Sequence, residues 1–219
     1  MEEFLGTGSG AAWIGVLVTS GWLALACGGS PETSSDAGDA GIQGADTEMA
    51  ESTALTSLEP AFRDLFPEGT TIEELARGFR WSEGPVWRPE EGDLLFSDIP
   101  ANTIYRWAPE EGLSVFLRPA GHVVGTPPGE ELGTNGLLLD GEGRLVMCDH
   151  GQRAITRLDA QNFTKEVLVD RYDGRRLNSP NDAVYHSSGA LYFTDPPYGL
   201  GGGVEDPEKE LPFQGVYRL

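Results

Sequence analysis

The chain has few of the residues that build common catalytic and structural centres. Among its 219 residues are two cysteines, Cys27 and Cys148, and three histidines. Two cysteines so far apart provide neither a disulfide framework nor a zinc-ligand spacing. No Ser-His-Asp nucleophile elbow is present. The glycine-rich run 199–203 is not placed between a strand and a helix, so it is not a phosphate loop. Residues 1–62 contain no Lys or Arg and nine Asp or Glu. The whole chain carries a formal net charge of −20. Such a chain is poorly suited to nucleic acid, because neutralising phosphates takes Lys and Arg. No helical pattern is long enough for a βαβ unit, which excludes a doubly wound sheet.

The one uncharged apolar run, 11–26 (AAWIGVLVTSGWLALA), is short for a membrane span and fits the apolar core of an export signal. It ends at Ala26-Cys27, followed by Gly28-Gly29-Ser30. Small residues around a cysteine are similar to the cleavage box of bacterial lipoproteins, in which the cysteine becomes the lipidated first residue. Residues 1–27 are therefore read as a signal peptide. The expected location is exported, on the periplasmic side, with a lipid anchor on Cys27 as the only membrane contact. Residues 28–58 are small, polar and acidic. They have too little apolar surface to offset chain entropy, and a disordered spacer is expected there.

What is abundant is glycine, at 30 residues, with 15 prolines. Spread between short apolar runs, they read as many tight turns and an all-β domain over 59–219. One pattern occurs three times: Glu83–Asp98, Asn135–Asp149 and Asn181–Asp195. Each copy opens on an oxygen-bearing side chain, passes through a strand, a glycine-containing turn and a second strand, and closes on Asp. The starts are 52 and 46 residues apart, which suits one four-stranded blade of a β-propeller. A third strand with a basic residue follows each copy (Arg106, Arg157, Arg218). The repeat predicts that Glu83, Asn135 and Asn181 lie at equivalent places around one channel. A short helix is expected at Glu59–Phe66 and a ring-closing strand at Leu75–Trp81. Loops 119–134 and 196–212 either cover the channel mouth or are ordinary surface loops. About three blades are counted, so the chain reads as part of a ring.

The segments SEGPVW (82–87), LLFSDIPANTIYRW (94–107), NGLLLDGEGRLVMCDHGQRAITRLD (135–159) and YDGRRLNSPNDAVYHSSGALYFTDPPYGL (172–200) resemble the senescence-marker-protein, gluconolactonase and luciferin-regenerating-enzyme family. NSPND and YFTDPPYGL point to its bacterial gluconolactonase branch. The resemblance implies a six-bladed propeller, monomeric when complete, with a divalent cation near the channel centre. That cation is Ca²⁺ by family habit, with Mg²⁺ or Zn²⁺ as alternatives. It implies Glu83 as a metal ligand and Asn181 as a substrate contact or metal neighbour. The remaining ligands and the catalytic base would lie beyond residue 219. Asn135, His150 and Tyr198 are candidate substrate-lining residues, with a surface position as the other reading for His150. The implied reaction is hydrolysis of a sugar lactone. A propeller hydrolase for another ester or an organophosphate, or a non-catalytic propeller piece, remain the other readings.

From the residues themselves, a carboxylate with amide oxygens suits a hard cation such as Ca²⁺ or Mg²⁺ over zinc. Asp98, Asp149 and Asp195 read as turn caps, and Cys148 as a small buried residue. His122 and His186 have no partner visible in the sequence.

Overall fold

The computed structural model describes residues 53–54, 60–66, 69–121 and 131–219. The signal-peptide reading, most of the expected spacer and His122 lie outside the described residues. The chain divides into two compact units, Met1–Arg77 and Gly78–Leu219. In the first unit, β1 (Thr53–Ala54) pairs antiparallel with β2 (Thr71–Ile72), and α1 spans Pro60–Leu65. The helix falls where the sequence placed it. No helix among the described residues is long and apolar enough to cross a membrane.

The second unit is all-β. Its first sheet is β3 (Ser82–Arg88), β4 (Asp93–Asp98), β5 (Thr103–Ala108) and β6 (Gly112–Leu117), in that order. The second is β7 (Thr134–Leu139), β8 (Leu145–Asp149), β9 (Ala154–Leu158) and β10 (Lys165–Val169), again in chain order. A small hairpin, β11 (Arg171–Tyr172) with β12 (Arg175–Arg176), follows. The third sheet holds β13 (Ala183–Tyr185), β14 (Leu191–Asp195) and β15 (Gly215–Arg218). These sheets are the blades that the repeat predicted: each copy of the pattern is the first two strands of one sheet. The hairpin over 171–176 went unpredicted, because Arg-Tyr-Asp-Gly-Arg-Arg lacks an apolar alternation.

The middle blade explains the continuous apolar run at Leu145–Cys148. Every residue of β8 is buried, because both faces of that blade are covered. Leu145 and Met147 pack with Leu95, Ile104 and Leu137 of the first two blades. Val146 and Cys148 point the other way, into a core with Ile155, Leu191, Phe193 and Tyr217 toward the third blade. Alternate residues of one strand thus hold two blade interfaces together. Cys148 is buried, and burial raises its thiol well above the ordinary value, so it is an inert core residue.

The strand expected at Leu75–Trp81 does not form; residues 73–81 hold no regular structure. The amides of Arg80 and Trp81 donate to the Asp98 carboxylate at 3.0 and 3.2 Å instead of to a strand partner. The Phe79 ring packs edge-on against Phe96 and Tyr105.

Register fixes which loops share one end of the blades. Ser82, at the start of β3, pairs with Asp98, at the end of β4, and Thr134 pairs with Asp149 in the same way. The connections leading into each first strand and the turns leaving each second strand therefore lie together. That end carries Glu83, Asn135 and Asn181.

Candidate functional site

The three repeat starts lie side by side because two glycines let their backbones touch. Gly84 has φ +55, and a Cβ there would lie 2.3 Å from the Asn135 carbonyl oxygen and 2.8 Å from the Gly136 Cα. At Gly136 a Cβ would lie 2.8 Å from the Asn181 carbonyl oxygen and 2.8 Å from Asp182 Oδ1. The Gly136 amide donates to that Asn181 carbonyl at 2.8 Å. Only a residue without a side chain fits such approaches. Glu83, Asn135 and Asn181 thus form a row across three neighbouring first strands.

Their surroundings differ. Glu83 is exposed, and its Oε1 accepts a hydrogen bond from Trp81 Nε1 at 3.1 Å. Asn181 is half-buried, and its amide donates to the Thr194 carbonyl at 3.0 Å. Asn135 is buried, and its Nδ2 lies 3.5 Å from His150 Nε2. Its carbonyl accepts the Ser97 hydroxyl at 2.9 Å, while that oxygen also lies 3.0 Å from Thr134 Oγ1. Asn135 is thus engaged from behind.

The terminal Asp of each copy is a buried cap, as its repetition suggested. Asp98 takes the amides of Arg80 and Trp81, three and two residues ahead of Glu83. Asp195 accepts the amide of Asn178, three residues ahead of Asn181, at 2.8 Å. Asp149 departs from that pairing: it accepts the Gln152 amide at 3.0 Å and Lys165 Nζ at 2.5 Å. Burial pushes the Asp195 carboxyl up to about 6, against the Asn178 and Ser179 amides and Arg153, which favour its charged form.

As a metal site the row is of hard-oxygen type. Among the described residues no group of three or more His, Cys, Asp or Glu side chains is placed to hold a metal ion. One carboxylate and the Asn amides are hard-oxygen donors, part of the set that a cation such as Ca²⁺ would need.

Residues 81–219 match the family model described as the SMP-30/gluconolactonase/LRE-like region. The chain belongs to this family. It is 44% identical over 167 residues to the gluconolactonase of Zymomonas mobilis, an alignment covering 75% of this chain and 47% of that protein. A crystal structure of a structural-genomics target assigned to a gluconolactonase protein family aligns at 36% identity with a TM-score of 0.64, over 77% of this chain and 54% of that one. A gluconolactonase from Xanthomonas campestris aligns at 38% identity with a TM-score of 0.55, over 66% of this chain and 45% of that one. The chain spans about half the length of the relatives it matches. The resemblance read from the motifs and the propeller-type fold both stand.

In this gluconolactonase-family chain the two remaining candidates sit differently from a simple mouth lining. His150 is no surface residue: it is 1% exposed, with Asn135 on one side. A Cβ at Gly199 would lie 2.8 Å from His150 Cβ, so the Pro-Pro-Tyr-Gly-Leu loop is packed directly on it. Burial lowers the imidazole to about 4, a shift that Glu131 and Asp149 oppose. The neutral ring that results serves as a support for Asn135. Tyr198 is the exposed residue of that loop, at 62%. The loop is pinned beside it by Gly199, whose amide donates to Ser179 Oγ at 2.8 Å, and by Ser179 Oγ donating to the Pro196 carbonyl at 2.6 Å. Loop 196–212 therefore lies at the site end of the blades. Asn178, Ser179 and Arg153 organise this end, and none was singled out from sequence. The NSPND motif held the signal for the first two.

Proposed function

We propose that the protein carrying this chain hydrolyses a sugar lactone, with Glu83 and Asn181 contributing oxygen ligands to a divalent cation, Ca²⁺ first among the candidates. The observation that carries the reading is the row of Glu83, Asn135 and Asn181 at one end of three blades of this family. The family relatives named gluconolactonase support the substrate class.

Bound at this row, such a cation supplies Lewis acidity toward the lactone carbonyl. The chain's own residues do the rest of what this part of the molecule can do. Glu83 supplies the row's carboxylate, and the contact from Trp81 Nε1 orients it. Asn181 presents an amide able to accept from a sugar hydroxyl or to ligate through oxygen. Asn135 is held by His150 and Ser97, which fixes the spacing between its neighbours. Tyr198 offers an exposed ring face at the mouth, suited to the apolar face of a sugar ring. Export and attachment through Cys27 complete the proposal; metabolic labelling with a radioactive fatty acid tests that part.

The central test uses the full-length protein with glucono-1,5-lactone and titrated Ca²⁺. Calorimetry should show one divalent-cation site, and Glu83→Gln should weaken it by roughly tenfold or more, since a charged ligand is lost. Turnover should fall in step. A Glu83→Gln variant that binds Ca²⁺ and turns over like the wild type would sink the metal assignment. A full-length protein that prefers an aryl ester or organophosphate over aldonolactones would move the substrate class.

A further inference from the structure

One four-residue turn, His150–Arg153, touches both site-bearing segments and both ends of the mouth loop. Its first residue contacts Asn135 and packs against Gly199. Its last residue, Arg153, donates from Nε to the Leu177 carbonyl at 2.7 Å and from Nη1 to the Glu208 carbonyl at 2.9 Å. Leu177 opens the Leu177–Pro180 segment, buried throughout, that delivers Asn181. Gly199 lies near the start of loop 196–212 and Glu208 near its far end.

Arg153 is an unusual residue for this position. It is 6% exposed and has φ +56, in the left-handed region that non-glycine side chains avoid. Among the described residues it forms no ion pair within 4 Å, and its Nη2 has no hydrogen-bond partner. Burial first, then the neighbouring Arg176, lowers its pKa. A charged group kept buried at such cost, in a strained backbone, is there for its geometry. The planar fork of a guanidinium carries its donors on separate nitrogens in fixed directions, so Nε and Nη1 reach carbonyls in two segments, whereas an ammonium offers all its donors from one atom.

The first blade contains the same device in simpler form. Asn102 stands four residues after Asp98, as Arg153 stands four after Asp149. Asn102 also has a positive φ, at 50. Its Oδ1 accepts the Gly121 amide at 2.5 Å and its carbonyl accepts the Ala120 amide at 2.9 Å. It therefore ties down the connection leading to the second blade, as Arg153 ties down the one leading to the third. Arg153 adds the second tie, to the mouth loop.

We propose that Arg153 is a positioning residue that locks the Asn181 segment and loop 196–212 into one unit, making the loop a fixed wall of the substrate site. Its effect on substrate rests on the lactonase reading; its effect on the loop does not. The experiment compares full-length wild type with Arg153→Ala and Arg153→Lys by amide hydrogen exchange and by lactone kinetics. Exchange at Gly199, Gly203, Glu205 and Lys209 should quicken roughly tenfold or more in both variants, as a charge-assisted hydrogen bond is lost. Exchange in β5 of the first blade should stay unchanged. KM for the lactone should rise roughly tenfold with a smaller change in kcat. A uniform rise in exchange across β5 and the loop makes Arg153 a general stability residue and overturns the proposal. So does an unchanged loop, or a Lys variant indistinguishable from wild type. If Arg153→Ala fails to fold, Arg153→Lys decides by the same readouts. A wild type without lactonase activity removes the lactonase reading alone, because loop exchange still reports on the lock.

Discussion

Asp195 and His150 are both buried at the site end of the blades, and their protonation pulls stability in opposite directions. Burial raises Asp195 from 3.8 to about 6, against the Asn178 and Ser179 amides, Arg153 and Lys209. Between those values the folded state holds more protons than the unfolded state, so stability falls as pH rises. A shift of about two units corresponds to about 3 kcal/mol, reduced to about 2 kcal/mol by solvent screening. Burial lowers His150 from 6.5 to about 4, opposed by Glu131 and Asp149. In that window the unfolded state holds more protons, so stability rises with pH, by about 3 kcal/mol. The two slopes largely cancel, and these two groups leave the wild type nearly level between pH 4 and 6.

Asp195→Asn should unmask the histidine slope. The asparagine keeps an oxygen to accept the Asn178 amide and removes the titration. Urea unfolding of the full chain at half-unit steps from pH 4 to 7, with linear extrapolation to water, gives both curves. The variant should gain on the wild type by about 2 kcal/mol between pH 4 and 7. Taking the difference between the curves cancels any constant packing cost of the substitution. His150→Asn should give the opposite result, a variant that loses ground as pH rises. A difference that stays flat, or shrinks with pH for Asp195→Asn, refutes the argument.

Two further outcomes test the frame around the site. Gly84→Ala sets a Cβ 2.3 Å from the Asn135 carbonyl oxygen at a positive φ, and should lower stability by about 2 kcal/mol or more in a thermal melt. Gly141→Ala, with no atom within 4 Å and no positive φ, should change it little. Asp93 is fully buried; burial would raise its carboxyl, but hydrogen bonds from Arg88 and Arg106 outweigh that and hold it below the usual range. Asp93→Asn should therefore cost about 3 kcal/mol at pH 7. That difference is present above pH 3.8 and should close as pH falls below it; urea melts at pH 7 and pH 3 read it.

The blades were legible because their order is local. An apolar run, a glycine turn and a second apolar run fold on themselves, so the strands of each copy could be placed from composition and period. The basic residue after each copy also has a local cause in the first two blades. Arg106 meets Asp93, and Arg157 meets Asp140 at 3.6 Å, both at the end of the blade away from the site. The missed features depend on distant partners. Leu75–Trp81 has strand-forming residues, but the Asp98 carboxylate claims two of its amides. His150 reads as a loop histidine until Gly199, 49 residues on, is found packed against it.

Arg153 shows the sharper limit. Aligning the repeat finds residues of like chemistry at like positions, which is how Asp98, Asp149 and Asp195 stood out. Asn102 and Arg153 share a position, a backbone conformation and a task, yet their side chains have nothing else in common. Asparagine enters the left-handed region at little cost and reaches the adjacent connection with a short amide. Arginine accepts more strain there and reaches farther, past Leu177 to Glu208. The first blade needs one tie and the second needs two, because in the third blade the connection from second to third strand is the long mouth loop. The length of that loop, visible in the sequence as Pro196–Pro212, is thus the physical reason for an arginine at 153. Shortening the loop to a four-residue turn like Ile99–Asn102 should remove the need for it.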